Sequence, residues 1–204
     1  MRFATYKAGQ ERCVGLVSRD GETVTKLALP PELAHQGVLA LIDMANQGLD
    51  INTLLGDTAP ISEVRLEAPI PRPRRNIFCV GRNYREHAKE LSGSVFKPND
   101  FDIASWPIVF TKVPECVVGP HDDVVLPGSG ISEQIDYEAE LAVIIGTKGT
   151  NITRELALNH VYGYTIVNDV TARDVEMRGF GSACTVRARR PGGRVVELGQ
   201  LQLA

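Results

Sequence analysis

A chain of 204 residues has room for one domain, or for one domain with a small appendage. Its 43% hydrophobic and 23% charged residues are ordinary globular values, enough for a sizeable core without staples. A net charge of −3 excludes a strongly basic face over the whole protein for nucleic acid, and no run of 18 apolar residues is present to span a membrane as a helix.

In chain order, residues 2–7, 13–18 and 23–27 read as short strands, with Asp20-Gly21 as the turn between the last two. Pro30-Pro31 stops the third strand. Val38, Leu39, Leu41, Ile42 and Ala45 recur at spacings of three and four, which predicts an amphipathic helix over 37–46. A second short helix is expected over 51–55. Residues 68–75 carry Pro69, Pro71 and Pro73 at alternate positions, which fixes an extended backbone unable to join a central strand. This is the expected linker between a small first domain, 1–70, and a second domain. The second opens with an apolar strand over 76–80, then a short helix over 84–91. Strands are expected over 106–112, 123–126, 136–145 and 161–168, and a helix over 153–159. Strands with short helices and no βαβ array give a β-rich α+β class.

The four cysteines, Cys13, Cys79, Cys116 and Cys184, form no C-x-x-C pair and read as free thiols. The first seven residues contain no apolar signal region, so a cytoplasmic location is expected.

Three groups of residues carry chemistry. Side chains alternate along a strand, so Glu138 and Glu140 share one face with Cα atoms about 6.7 Å apart, and Ala139, Leu141 and Val143 share the other, which suits a core. Two carboxylates on one face suit a hard divalent cation, but taken alone E-x-E reads first as an ordinary solvated strand face. Asp169 ends an apolar strand, where it serves either as a ligand at a cavity mouth or as the cap of a helix starting near 170. On the helix expected at 84–91, His87 and Glu90 fall on one face, an arrangement for a general base or for an ordinary surface pair.

Taken together, VGRNYREHAKE (80–90), FTKVP (110–114), VGP (118–120), IDYEAELAVIIG (135–146) and GYTIVNDVTARD (163–174) resemble, in this order, the fumarylacetoacetate hydrolase family. The resemblance implies a mixed-sheet β-roll behind a small leading domain, usually as a homodimer. It implies a divalent metal, Mg²⁺ foremost with Mn²⁺ or Ca²⁺ tolerated, held by Glu138, Glu140 and Asp169. It further implies a water-activating dyad of His87 and Glu90, and substrate contacts from Lys112 and Arg82. Substrates would be small β-diketo or 2-keto acids, cleaved hydrolytically, decarboxylated as oxaloacetate is, or isomerised or hydrated as in aromatic catabolism.

The resemblance fades near residue 178. Residues 178–204 hold five arginines and one acidic residue and lack the family's downstream lysine segment. The expected layout is therefore a partial catalytic domain over 71–178 and a non-matching basic tail over 179–204, with the β-roll incomplete at its C-terminal side. Two readings follow: a metal-dependent hydrolase or lyase, or a catalytically incomplete fragment that binds metal or a partner subunit. A Ca²⁺-binding module without chemistry is a third.

Overall fold

The computed structural model describes residues 1–81, 83, 108–127, 130–176, 186–189, 195–198 and 201–203. The chain is β-rich with short helices and open sheets. None of its helices is long and apolar enough to cross a membrane among the described residues.

The first region is a five-stranded antiparallel sheet in the order β4-β3-β2-β1-β5. Its strands are β1 (Arg2–Ala8), β2 (Glu11–Val17), β3 (Thr23–Leu27), β4 (Leu55–Pro60) and β5 (Arg65–Glu67). The first three match the alternation of their sequences. At the turn between β2 and β3, Gly21 adopts φ +87°, Gly21 N donates to Ser18 O, and Asp20 accepts from Ser18 Oγ and Glu22 N. Neither β4 nor β5 is visible as a strand in sequence. LGDTAP has no apolar alternation, and it is ordered by pairing with β3 along the sheet edge.

Both faces of this sheet are covered at its centre. Thr5 lies opposite Val14 and Tyr6 opposite Cys13, so successive residues of β1 point into different cores. One core joins Val14 and Leu27 to Val38, Leu41, Ile42 and Met44, the last three from α2 (Leu39–Asn46). The other holds Tyr6, Cys13 and Val24. A shorter helix, α1 (Pro31–Ala34), begins with the second proline at its N-terminus, where a missing N–H costs nothing. Gly37 joins the two helices at φ +67°, and a Cβ there would lie 2.6 Å from both Pro69 O and Thr5 Oγ1. Residues 51–54 form a single 3-10 turn capped by Asp50, shorter than the helix expected there.

The proline segment is extended as its sequence requires, and it is closely packed. Pro69 O accepts from Val38 N (2.8 Å) and from the Thr5 hydroxyl (2.7 Å). Ala68 and Ile70 are both buried, Ala68 in a core with Cys116 and Val167, Ile70 in the core beneath α2. Arg74 pairs with Asp43, and Arg72 with Glu115.

The second region begins with β6 (Ile77–Gly81) and β7 (Ile108–Lys112), an antiparallel pair that places Ile77 opposite Lys112. Next come β8 (Val117–Val118), β9 (Ile135–Asp136) and β10 (Ala139–Ile145). They are followed by β11 (Val161–Asp169), β12 (Thr171–Ala172) and α3 (Arg173–Glu176). The strands β13 (Val186–Arg189) and β14 (Val195–Leu198) pair with each other. The last strand, β15 (Leu201–Leu203), lies between β11 and β8, antiparallel to the first and parallel to the second. The four-stranded sheet β10-β11-β15-β8 is therefore mixed.

Two predicted elements are absent here. Residues 123–126 form no strand: Asp122 closes a turn onto Gly119 N (2.8 Å), and the five residues to Pro127 leave Val125 and Leu126 exposed. Residues 153–159 form turns and a 3-10 segment, Ala157–His160, because Leu156 and Leu158 find no core to cover. A third expectation is reversed. Leu141 and Val143, assigned to a core, face outward with Ile145, Tyr164 and Ile166; Leu141 is 58% exposed and Ile166 62%. The inward face carries Glu140, Ala142 and Ile144. Alternation defines two faces but not which one finds a partner. Here Ala142 packs with Val167, Cys116 and Ile77, and Ile144 reaches the α2 core, so the face bearing the carboxylates is the covered one. Asn46 Nδ2 closes the far end of the hairpin onto Gly146 O (2.9 Å). The expected helix over 84–91 lies outside the described residues.

Candidate functional site

β9 and β10 run against β12 and β11 in one register: Asp136 opposite Thr171, Ala139 opposite Asn168, Glu140 opposite Val167. Both strands break where Glu138 meets Asp169, and there Asp169 N donates to Glu138 O (2.8 Å). Residues directly opposite share a face in an antiparallel pair, and so do residues two apart. Asp136, Glu138, Glu140 and Asp169 are thus brought to one face of one hairpin. Exposure alternates to match, with Tyr137 and Ala139 exposed and the acidic residues between them partly covered.

Two cations meet this acidic face. Lys112, at the end of β7, is only 2% exposed and forms an ion pair with Asp169, itself 5% exposed. Its ammonium also reaches Val170 O (3.4 Å). A buried carboxylate without a counter-charge would cost several kcal/mol, roughly the penalty for any unpaired buried ion, and Lys112 supplies that counter-charge. Burial still dominates the acidity of Asp169 and pushes its carboxyl above the ordinary value, with Lys112 opposing. Asp169 Oδ1 faces the Lys112 ammonium directly as an ion pair.

Arg173, the first residue of α3, serves the other end. Its Nε donates to Asp136 Oδ2 (3.0 Å) and its Nη2 pairs with Glu138 Oε1. The turn that presents it is tied down twice, by Arg173 N to Gln134 O (2.8 Å) and by Ser132 Oγ to Asp174 Oδ1. Cys79 on β6 stands within electrostatic reach of Asp169 and Glu140. Burial, then the Asp169 charge, push its thiol up to about 12, with Lys112 opposing, so it is neutral and unreactive at physiological pH.

Of the residues singled out in sequence, Glu138, Glu140, Asp169 and Lys112 are brought together. Arg82, His87 and Glu90 lie outside the described residues. Arg173, Asp136 and Cys79 were not singled out as site residues. The signal for Asp136 was present, since it continues the alternation of Glu138 and Glu140. Arg173 stood in the motif GYTIVNDVTARD, but its role depends on a pairing between segments some 35 residues apart.

Three carboxylates on one face are the chemistry a hard cation selects, so the residues fit a divalent metal by type. As they stand, Glu138 is engaged by Arg173 and Asp169 by Lys112. Among the described residues no three of His, Cys, Asp and Glu close around a common point.

Residues 76–189, more than half of the chain, match the model of the fumarylacetoacetate hydrolase C-terminal domain. An oxaloacetate tautomerase of Bacillus subtilis is 52% identical over 118 residues, covering 58% of this chain and 37% of its own length. A mitochondrial oxaloacetate tautomerase of Xenopus laevis is 38% identical over 176 residues, covering 82% of this chain and 50% of its own. Among solved structures, fumarylacetoacetate hydrolase from Exiguobacterium antarcticum superposes with a TM-score of 0.63 at 33% identity, over 86% of this chain and 58% of that one. The chain belongs to the fumarylacetoacetate hydrolase family. It spans between about a third and half of the length of the two tautomerases it matches.

Proposed function

We propose that this chain carries the acid-lined site of a divalent-metal-dependent enzyme acting on small 2-keto or β-diketo acids, with enol–keto interconversion of oxaloacetate as its leading reaction. The observation that carries this is the single face shared by Glu138, Glu140 and Asp169, set by the hairpin register. The two tautomerases that this chain resembles support the choice of oxaloacetate over other keto acids.

Glu138, Glu140 and Asp169 would hold the cation, Mg²⁺ foremost, with Mn²⁺ or Ca²⁺ as substitutes. When bound, it supplies Lewis acidity toward the oxygens of a 2-keto acid. Lys112 supplies the counter-charge to Asp169 and orients it in a buried position. By the family resemblance, His87 with Glu90 would move the proton at the carbon next to the keto group, and Arg82 would add positive charge for a carboxylate. With a β-diketo acid, the same dyad would instead activate water for C–C cleavage. General-base help of this kind is worth about 10²–10⁴-fold.

The test follows the ultraviolet absorbance of enol-oxaloacetate with the purified chain and Mg²⁺ or Mn²⁺, with and without chelator, and an acylpyruvate in a parallel assay. Metal-dependent enol decay above the buffer rate is expected, and Glu138→Ala should remove it. Acylpyruvate cleavage without enol decay would move the assignment to hydrolysis. A second reading is metal binding without turnover, since Glu138, Glu140 and Asp169 share one face whatever completes the site. Mn²⁺ binding with neither activity would establish it. A second copy of the chain is proposed as the cover of the outward apolar face of β10 and β11, to be checked by light scattering in solution.

A further inference from the structure

We propose that Arg173 is a positioning residue: its guanidinium clasps Asp136 to Glu138 and holds the Glu138 carboxylate in place for a divalent cation. This rests on the metal-binding reading above.

The need for a clasp arises from the backbone. Glu138 sits in the break between β9 and β10, where the ladder is interrupted and its carbonyl accepts from Asp169 N. A side chain at such a break is less constrained than one within a regular ladder. The Arg173 fork closes the gap from the start of α3, directly after β12. Nε takes Asp136 Oδ2 at 3.0 Å, and Nη2 takes Glu138 Oε1, two carboxylates two residues apart in the chain. A planar guanidinium presents donors to both at once, whereas a lysine ammonium, a point charge on a flexible stem, has no matching fork.

The fork is itself delivered by a fixed backbone. Arg173 N donates to Gln134 O, Gln134 N donates to Ser132 Oγ (3.2 Å), and Ser132 Oγ bonds Asp174. These bonds tie the start of α3 to the loop leading into β9, so Arg173 and the two acids it bridges belong to one closed unit. Among the described residues, only Oε1 of the Glu138 carboxylate is engaged, which leaves Oε2 for a cation. Arg173 also offsets the repulsion between Asp136 and Glu138 before any metal arrives.

The opposite relation is the one to exclude. If Arg173 competed with the cation for Glu138, removing it would tighten metal binding. The experiment is Mn²⁺ titration by calorimetry on the full chain, as wild type, Arg173→Gln, Arg173→Lys and Asp136→Asn. Orientation of ligands by neighbouring groups is worth about 10–100-fold in metal affinity. Arg173→Gln should weaken Mn²⁺ binding by that factor, Arg173→Lys should recover only part of it, and Asp136→Asn should weaken binding by less. Unchanged or tighter Mn²⁺ binding in Arg173→Gln overturns the proposal. So does full recovery in Arg173→Lys. Should Arg173→Gln fail to fold, the Lys and Asn variants carry the same test.

A metal-free double-mutant cycle of Glu138→Gln and Arg173→Gln, read in melting temperature, separates the two layers. If the wild type binds no Mn²⁺, the metal reading fails and positioning for a metal fails with it. A non-additive cycle would then retain the clasp as a structural pair, and an additive one would remove that as well.

Discussion

The N-terminal sheet and the β10–β11 hairpin both alternate along their strands, yet they use the alternation differently. In β1 to β3 each face finds a partner within the chain: α2 on one side, and on the other a cluster around Tyr6, Cys13 and Val24. In β10 and β11 the aliphatic and aromatic positions Leu141, Val143, Tyr164 and Ile166 face outward, while the inward side ends in carboxylates. The first region is held by apolar burial. The site end of the second is held by ion pairs, Lys112 with Asp169 and Arg173 with Asp136 and Glu138. Charge placement is what a binding site needs. It leaves that part of the molecule with less apolar burial of its own and with a face suited to a cover.

The comparison can be tested most severely at Lys112. Lys112→Met leaves Asp169 buried without its counter-charge and should cost about 3–5 kcal/mol, measured by denaturant unfolding; the double variant Lys112→Met/Asp169→Leu should recover most of that. If the single variant is nearly neutral, the site end is not held by charge. Leu41→Ala, in the apolar region, should cost about 2–5 kcal/mol by the same measurement, and no second polar substitution should rescue it.

A smaller effect distinguishes the charges of the first region. Burial raises the Glu67 carboxyl, but Arg12 and Lys7 outweigh it and hold the group below its ordinary value. A depressed folded value means that the stabilisation is complete above the unfolded pKa, about 4.3, and is lost as pH falls through the folded one. Glu67→Gln should therefore be less stable than wild type by about 1 kcal/mol or less at pH 7, with the gap closing below about pH 4. A gap that persists in acid would mean the ion pair contributes nothing. The smallest effect is expected on the outward face. Leu141→Ser should change the unfolding free energy by less than about 0.5 kcal/mol, as exposed substitutions do, while lowering the mass seen by light scattering if a second copy covers that face.

Much of this was legible in the chain itself. The strands over 2–27 followed from alternation and from the Asp20-Gly21 turn, α2 from its three-and-four spacing, and the shared face of Glu138 and Glu140 from the pleat alone. What remained hidden depends on distant pairing. LGDTAP becomes a strand only because β3 offers it an edge. Leu141 and Val143 look like core residues because periodicity cannot say which face will be covered. Arg173 meets Asp136 and Glu138 only once the register of β12 against β9 is set.

The proline segment has one further consequence, for anyone wishing to recombine this protein with its relatives. The three alternate prolines invite a cut between residues 68 and 75. Ala68 is packed into the core of the site-bearing half, and Ile70, two residues later, into the core of the N-terminal half. The chain thus crosses from one half to the other and back within a single dipeptide step, and the carbonyl of Pro69 at the crossing serves donors from β1 and from the start of α2. The halves are interleaved rather than joined end to end. A graft that keeps both cores intact must carry the whole segment with its own partners on either side, which makes the N-terminal unit a poor module for exchange despite its self-contained sheet.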